Sequence, residues 1–230
     1  MSTDRVAREF SRYATHYTHL ASLQMTIARR LIAPFATPYR RILDLGAGSG
    51  ALRKAWGHPF ERFVAVDLAE GMCHLHPQDP QTITIVGDFD NPACWQRIAP
   101  LGPFDLILSS SALQWSRDPV SLTKRIANEA PAYGIALFIE GTFRTLHQQA
   151  GISHPLPAFA PLIEVAHQAA WERESYLVKF ANGRELLSYI KRSGLNGRGN
   201  VLSARDALRL CRKLDDHPVL EFEVLYLRKM

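Results

Sequence analysis

The sequence predicts an α/β fold in which a doubly wound, mostly parallel sheet carries helices on both faces. Strand-length apolar runs alternate with helix-length runs from residue 41 to residue 140. Two of the strand-like runs, residues 104–109 and 134–140, are apolar enough to be buried on both faces. Residues 42–50, Ile-Leu-Asp-Leu-Gly-Ala-Gly-Ser-Gly, run from a buried strand into a glycine turn that opens a helix.

Residues 4–33 read as helix in two pieces. Phe10, Tyr13, Ala14 and Tyr17 fall at i, i+3, i+4 and i+7, and Leu20, Leu23, Ile27 and Leu31 continue the apolar face. Pro34 and Pro38 break the pattern and link into the core. The sheet does not need a helix ahead of its first strand, so this one is either a lid over a site or a packed extension. Residues 41–45 are the first strand, and 51–56 a helix stopped by Gly57 and Pro59. The second strand, 62–66, ends at Asp67; Met72 marks the next helix, which His74, His76, Pro77 and Pro80 keep short. Residues 82–86 alternate β-branched side chains as a third strand ending at Gly87-Asp88, and Asn91-Pro92 starts a helix over 93–98. A helix over 119–129, capped by Asp118, joins the fourth strand to the fifth. Beyond Glu140 the rhythm changes to an alanine-rich helix over 162–171 and a short strand over 176–180. Asn182 then caps a helix from Gly183 to about Arg192, Ser203 and Asp206 open another to Leu214, and residues 219–227 alternate as a last strand.

The 230 residues suit one domain: 1–38 as lid helices, 39–140 as a ligand-binding half and 141–230 as a recognition part. A hydrophobic share of 47% and a charged share of 21% are those of a globular protein, and no apolar run has the length of a membrane span. The polar start, Met1-Ser2-Thr3-Asp4-Arg5, lacks a signal core and leads us to expect a cytoplasmic protein. Cys73, Cys94 and Cys211 are odd in number and far apart, which fits neither a disulfide framework nor a zinc site. The net charge of +5 is uneven: from Arg173 to Lys213 there are ten Lys/Arg and three Asp/Glu, a local +7. Such a stretch is a solvated face or a surface that steers an acidic partner.

The glycines at 46, 48 and 50 let a ligand approach the backbone and permit positive φ. Dinucleotide turns use GxGxxG to hold pyrophosphate. Here the spacing is GxGxG, and Asp44 stands two residues ahead of it, which suits a ligand bearing ammonium and sulfonium groups. Asp67, 21 residues after Gly46 at a strand end, is placed to accept ribose hydroxyls. Asp88 and Phe89 follow the third strand, and Ser109 to Trp115 follow the fourth, at the edge where such sheets bind ligands.

In this order and spacing, the stretch Asp44 to Gly50, with Asp67, Asp88-Phe89 and Ser109-Ser110, resembles the class I, Rossmann-like, S-adenosylmethionine-dependent methyltransferases. The resemblance implies a seven-stranded sheet with the last strand antiparallel, lid helices at the N-terminus and a helical insert after the fifth strand. It implies S-adenosyl-L-methionine as cofactor, held by Asp44, Gly46, Ala47, Gly48, Gly50, Asp67, Leu68, Met72, Asp88, Phe89, Ser109 and Ser110. Ser109 to Ala112 replaces the Asn/Asp-Pro-Pro-aromatic run of methyltransferases that act on base amino groups, and no Pro-Cys pair offers a cytosine nucleophile. Nucleic acid is therefore not the expected substrate.

A closer resemblance covers most of the chain. Val6 to Ala14 with Tyr17, Leu23-Gln24, and Ser111-Ala112-Leu113-Gln114-Trp115 are similar to the malonyl-acyl-carrier-protein O-methyltransferases of biotin synthesis. Ser110 departs from that family's asparagine, and Arg144 directly follows Thr142-Phe143 where a glycine-proline-glycine segment is usual. The resemblance implies methylation of a malonyl carboxylate on an acyl carrier protein, with no metal and no membrane. A carboxylate is already a nucleophile at neutral pH, so no general base is needed, and no conspicuous His/Asp pair occurs. Tyr17 on the lid, Gln114 and Trp115 lining the chamber, and Arg144 as partner of the substrate carboxylate are the expected reactive-site residues. Lys179, Arg184, Lys191, Arg192, Arg205, Arg209 and Arg212 would form the carrier's landing site. A small-molecule methyltransferase of the aconitate or quinone type is the alternative.

Overall fold

A computed structural model describes residues 18–151, 156–166, 168–192 and 204–230. Its elements run α1 (Thr18–Ile32), β1 (Arg41–Leu45), α2 (Ala51–Ala55), β2 (Arg62–Asp67), α3 (Glu70–Leu75), β3 (Thr82–Val86), α4 (Pro92–Ile98), β4 (Leu106–Ser110), α5 (Pro119–Glu129) and β5 (Ala132–Phe138). Then come α6 (Arg144–Ala150), α7 (Phe159–Val165), β6 (Ala170–Lys179), α8 (Gly183–Arg192), α9 (Ala204–Asp215) and β7 (Val219–Lys229). The seven strands form one sheet in the order β3-β2-β1-β4-β5-β7-β6. All neighbouring pairs from β3 to β5 are parallel, and β7 runs antiparallel between β5 and β6.

Local chemistry sets the element ends. Asn91 and Asp118 accept the first free amides of α4 and α5 from Ala93 and Ser121, and Pro92 and Pro119 fill the following positions. Asn182 accepts the Glu185 amide at the start of α8. The last turn of α1 is closed from outside: the Arg228 guanidinium, 9% exposed, donates to the Arg30 and Leu31 carbonyls at 3.1 and 3.2 Å. Arg30 and Arg228 both pair with Glu172, and Arg30 also with Glu174, so α1 is clasped to β6 and β7.

Successive side chains of the strands fill two cores. One lies under α1, α2, α6, α8 and α9 and holds Ile27, Leu31, Phe35, Leu108, Leu186, Leu214 and Phe222. The other lies under α4, α5 and α7 and holds Leu43, Val66, Trp95, Ile126, Tyr133 and Leu225. Because Arg228 sits opposite Gly134 and Ala170, α1 ends at the amino edge of the sheet. It lies along β4 and β5, so its first turn faces the carboxyl edge.

Two expectations are corrected. The helix over 162–171 is α7, which ends at Val165, and Trp171 belongs to β6, a strand of ten residues rather than the short one over 176–180. Residues 144–150 form a helix the sequence reading left unassigned. Tyr13 and Tyr17 lie outside the described residues, as do the side chains of Lys191, Arg192 and Arg205. No described helix is long and apolar enough to cross a membrane. Among the described residues no group of three or more His, Cys, Asp or Glu could hold a metal ion.

Candidate active site

The glycine turn leaves β1 at the carboxyl edge and is pinned to the end of β2. The Val66 carbonyl accepts the Gly46 and Ala47 amides at 2.8 and 2.9 Å. Gly46, Gly48 and Gly50 take φ of +74°, +53° and +85°, the left-handed region that favours glycine. Loops from three other strands converge on this turn. From β2, Asp67 accepts the Gly48 amide on Oδ2 and the Ala69 amide on Oδ1, both at 2.8 Å. From β3, the Phe89 ring reaches 3.5 Å from where a Gly46 Cβ would stand. From β4, Ala112 Cβ would lie 2.1 Å from that same point. A Cβ on Gly48 would meet nothing within 4 Å, so the turn is packed on one side and open on the other.

Asp44 lies under this turn, fully buried, and neither of its carboxylate oxygens has a hydrogen-bond partner among the described residues. Burial pushes its carboxyl well above the usual carboxylate range, and the charge of Asp67 pushes the same way. Burial also raises Asp67, opposed by the amides of Ala69, Gly48 and Leu68. A buried anion without a donor is costly. A cationic ligand on the open side of the turn supplies the missing counter-charge, so the residues fit a ligand with ammonium and sulfonium groups.

Other expected ligand residues cluster at this edge. Asp88 is half-buried; its Oδ1 accepts the Asp90 amide at 2.8 Å, and Oδ2 makes no hydrogen bond among the described residues. Leu68 is half-buried, and Ala47 and Met72 are buried around the turn. Ser110 is half-buried and its hydroxyl has no partner. Trp115 is half-buried in a 3-10 turn over residues 113–115.

Two of the expected site residues hydrogen-bond to the backbone in this structure. Ser109 is fully buried and its hydroxyl donates to the Leu45 carbonyl at 2.7 Å, so its side chain fastens β4 to β1 instead of facing a ligand. Gln114 is 2% exposed: its Nε2 donates to the Ser111 carbonyl at 2.7 Å and its Oε1 accepts the Phe138 amide at 3.4 Å. Its amide is spent on the backbone, holding Ser111 at φ +57° and tying the loop to β5. Arg144 is exposed at the start of α6, after Phe143 at φ +58°. Sequence reasoning missed Asp90, which accepts Ser116 Oγ at 2.6 Å and the Arg117 amide at 2.8 Å and so binds the β4 loop to the β3 loop. The Asp90 to Ser116 spacing of 26 residues carries no local signal.

Comparison with known proteins bears on the domain and its fold. Residues 43–137 match a methyltransferase-domain family model. A malonyl-acyl-carrier-protein O-methyltransferase of Neorickettsia risticii is 24% identical over 220 residues, 85% of this chain and 84% of that protein. One from Serratia marcescens is 29% identical over 76% of this chain and 69% of its own length, and one from Geobacter sulfurreducens is 31% identical over 62% and 56%. Against the Geobacter sulfurreducens and Anoxybacillus flavithermus relatives, the match spans about half of their length, 56% and 54%. Among solved structures, the YcgJ protein of Bacillus subtilis is similar with TM-score 0.58 at 15% identity, covering 87% of this chain and 95% of its own. A cyclopropane-fatty-acyl-phospholipid synthase-like protein of Lactobacillus casei has TM-score 0.56 at 15% identity, covering 96% and 98%. These two share the fold.

Proposed function

We propose that this chain, whose residues 43–137 match a methyltransferase-domain model, is an S-adenosylmethionine-dependent enzyme that methylates the free carboxylate of a malonyl thioester borne by an acyl carrier protein. One observation carries this reading. The loop over residues 111–115, where the resemblance to carboxyl methyltransferases is most specific, packs through Ala112 directly on the glycine turn. The acceptor-choosing loop and the cofactor turn thus share one wall.

When bound, the cofactor supplies an electrophilic methyl on a sulfonium. Asp44 provides negative charge beneath it, Asp67 keeps lone pairs free for ribose hydroxyls beyond the two amides it accepts, and Asp88 with Phe89 holds the adenine amino group and ring face. Gly48 leaves the approach open. The acceptor carboxylate is ionised at neutral pH, so these residues align it and strip its water without taking a proton. Arg144 is the proposed cation for the substrate carboxylate. Trp115 offers a ring face to positive charge; Tyr17, which lies outside the described residues, is the proposed lid residue. Lys179, Arg184, Arg209 and Arg212 are all exposed and form the proposed landing face for the acidic carrier; the side chains of Lys191, Arg192 and Arg205, proposed with them, lie outside the described residues.

Incubating the protein with S-adenosylmethionine and malonyl-acyl carrier protein, beside malonyl-coenzyme A, tests this. A methyl ester on the malonyl group, detected by mass, is the expected product, formed faster on the carrier protein. Transfer to a free small acid but not to either thioester would refute the substrate.

A further inference from the structure

β6 is an edge of the sheet over ten residues, and no described strand covers its outer side; the opposite edge, β3, has five residues. Unpaired amides and carbonyls along such an edge form a template for another strand. One face of β6 carries Trp171 and Leu177, 55% and 63% exposed, two of the five exposed large hydrophobic residues among those described. Phe159 braces Trp171 from α7 with ring centres 5.2 Å apart.

Charged side chains on an edge normally discourage pairing. Here each charge between Trp171 and Leu177 is already matched within the chain. Glu172 pairs with Arg30 and Arg228, Arg173 with Glu223, and Glu174 with Arg30 at 2.6 Å. Ser175 donates to Glu223 at 2.6 Å.

We propose that two copies of this chain join through β6, antiparallel about a two-fold axis at Glu174, into one continuous sheet. Side chains alternate between faces, so a symmetric pairing keeps each face continuous when its axis passes through a residue. An axis at Arg173 sets Trp171 against Ser175, and one at Ser175 sets Trp171 against Lys179 and Leu177 against Arg173. The axis at Glu174 sets Trp171 against Leu177 of the second copy, and does so twice. Opposed residues of an antiparallel pair stand about 4.5–5.5 Å apart at Cβ, contact distance for an aromatic and an aliphatic side chain. Glu174 meets its own symmetry mate there, with each carboxylate held by Arg30 of its own chain.

Sedimentation velocity on the full chain at micromolar concentration, combined with cross-linking, tests the pairing. The wild type is expected to sediment as a dimer. Leu177→Glu, at an already exposed position, is expected to keep the circular dichroism spectrum and weaken association by at least about tenfold. Glu174→Cys is expected to form a disulfide-linked dimer on oxidation, whereas Leu177→Cys, six residues from its mate in this register, is not. A monomeric wild type overturns the proposal, as does a dimer unmoved by both Leu177→Glu and Trp171→Glu. So does a monomer in which Leu177→Glu instead abolishes binding of the carrier protein, which would assign the edge to that partner.

Discussion

Replacing Gly48 by valine separates ligand geometry from folding. The backbone there has φ +53°, so a β-branched residue is strained by about 1–3 kcal/mol. Among the described residues, no atom beyond Gly48 and its chain neighbours lies within 4 Å of the new Cβ, so no overlap adds to that strain. At about 2–4 °C per kcal/mol for a domain of this size, melting should fall by several degrees and remain cooperative. The valine methyls occupy the open side of the turn, and S-adenosylhomocysteine affinity should drop by at least about a hundredfold, near 2.7 kcal/mol. Gly46→Ala is the contrast. Its φ of +74° brings similar strain, and its Cβ would stand 2.1 Å from Ala112 Cβ, adding about 1–3 kcal/mol of overpacking. The smaller side chain should therefore destabilise more. Calorimetric titration with S-adenosylhomocysteine, run beside thermal unfolding, measures both effects. A folded Gly48→Val protein with unchanged affinity would refute the placement of the ligand on this turn.

Three other outcomes are expected. Because Asp44 is raised in the fold, its contribution to stability is present at pH below about 3.9 and lost as pH rises through the folded value; Asp44→Asn should flatten this dependence, raise the melting temperature at neutral pH and abolish cofactor binding. His76 is 2% exposed with Nε2 unpartnered beside Gly50, and burial lowers its pKa, so stability is full above about pH 6.5 and falls as pH drops through the lower folded value. Denaturant unfolding of the wild type and His76→Phe across that window measures it, and parallel curves would contradict the assignment. Gln114→Leu leaves the Ser111 carbonyl and Phe138 amide without their partner and should cost about 1–3 kcal/mol by denaturant unfolding; a neutral effect would show that the loop is held otherwise.

The sequence displays the parallel half of this fold because β1, β2, β4 and β5 are buried on both faces and its turns carry glycine or a capping side chain. β1, β3 and α5 fall on the residues read from pattern alone. β6 defeats that reading for a physical reason. As an edge strand it alternates between two half-wet faces, Trp171, Arg173, Ser175, Leu177 and Lys179 on one and Glu172, Glu174, Tyr176 and Val178 on the other. Neither face is apolar, and Ala166 and Ala169 ahead of it, with Ala170 at its start, mimic a helix continuing past Val165. α6 is too short and polar to show a period, and it buries Leu146 and His147. At the site, spacing shows which residue types reach the edge but not which hydrogen bonds they already make. Ser109 and Gln114 are consumed by Leu45, Ser111 and Phe138, partners that only packing brings near.

The two carboxylates under the glycine turn explain why a dinucleotide is the poorer ligand. A pyrophosphate site needs free amides and the positive end of a helix aimed at the phosphates. Here the Gly48 amide is already taken by Asp67, and the Gly46 and Ala47 amides by Val66. The helix that follows, α2, is five residues long and contributes little dipole. Asp44 adds negative charge that no donor among the described residues offsets. A phosphate ligand would meet consumed donors and repulsion from both aspartates, whereas a sulfonium with an ammonium group lowers the energy of the buried charge. Asp67, by accepting two amides, holds the turn in shape before any ligand arrives. Asp44, by accepting none, leaves a charge that a cationic ligand neutralises, so the same turn is both rigid and selective for positive charge.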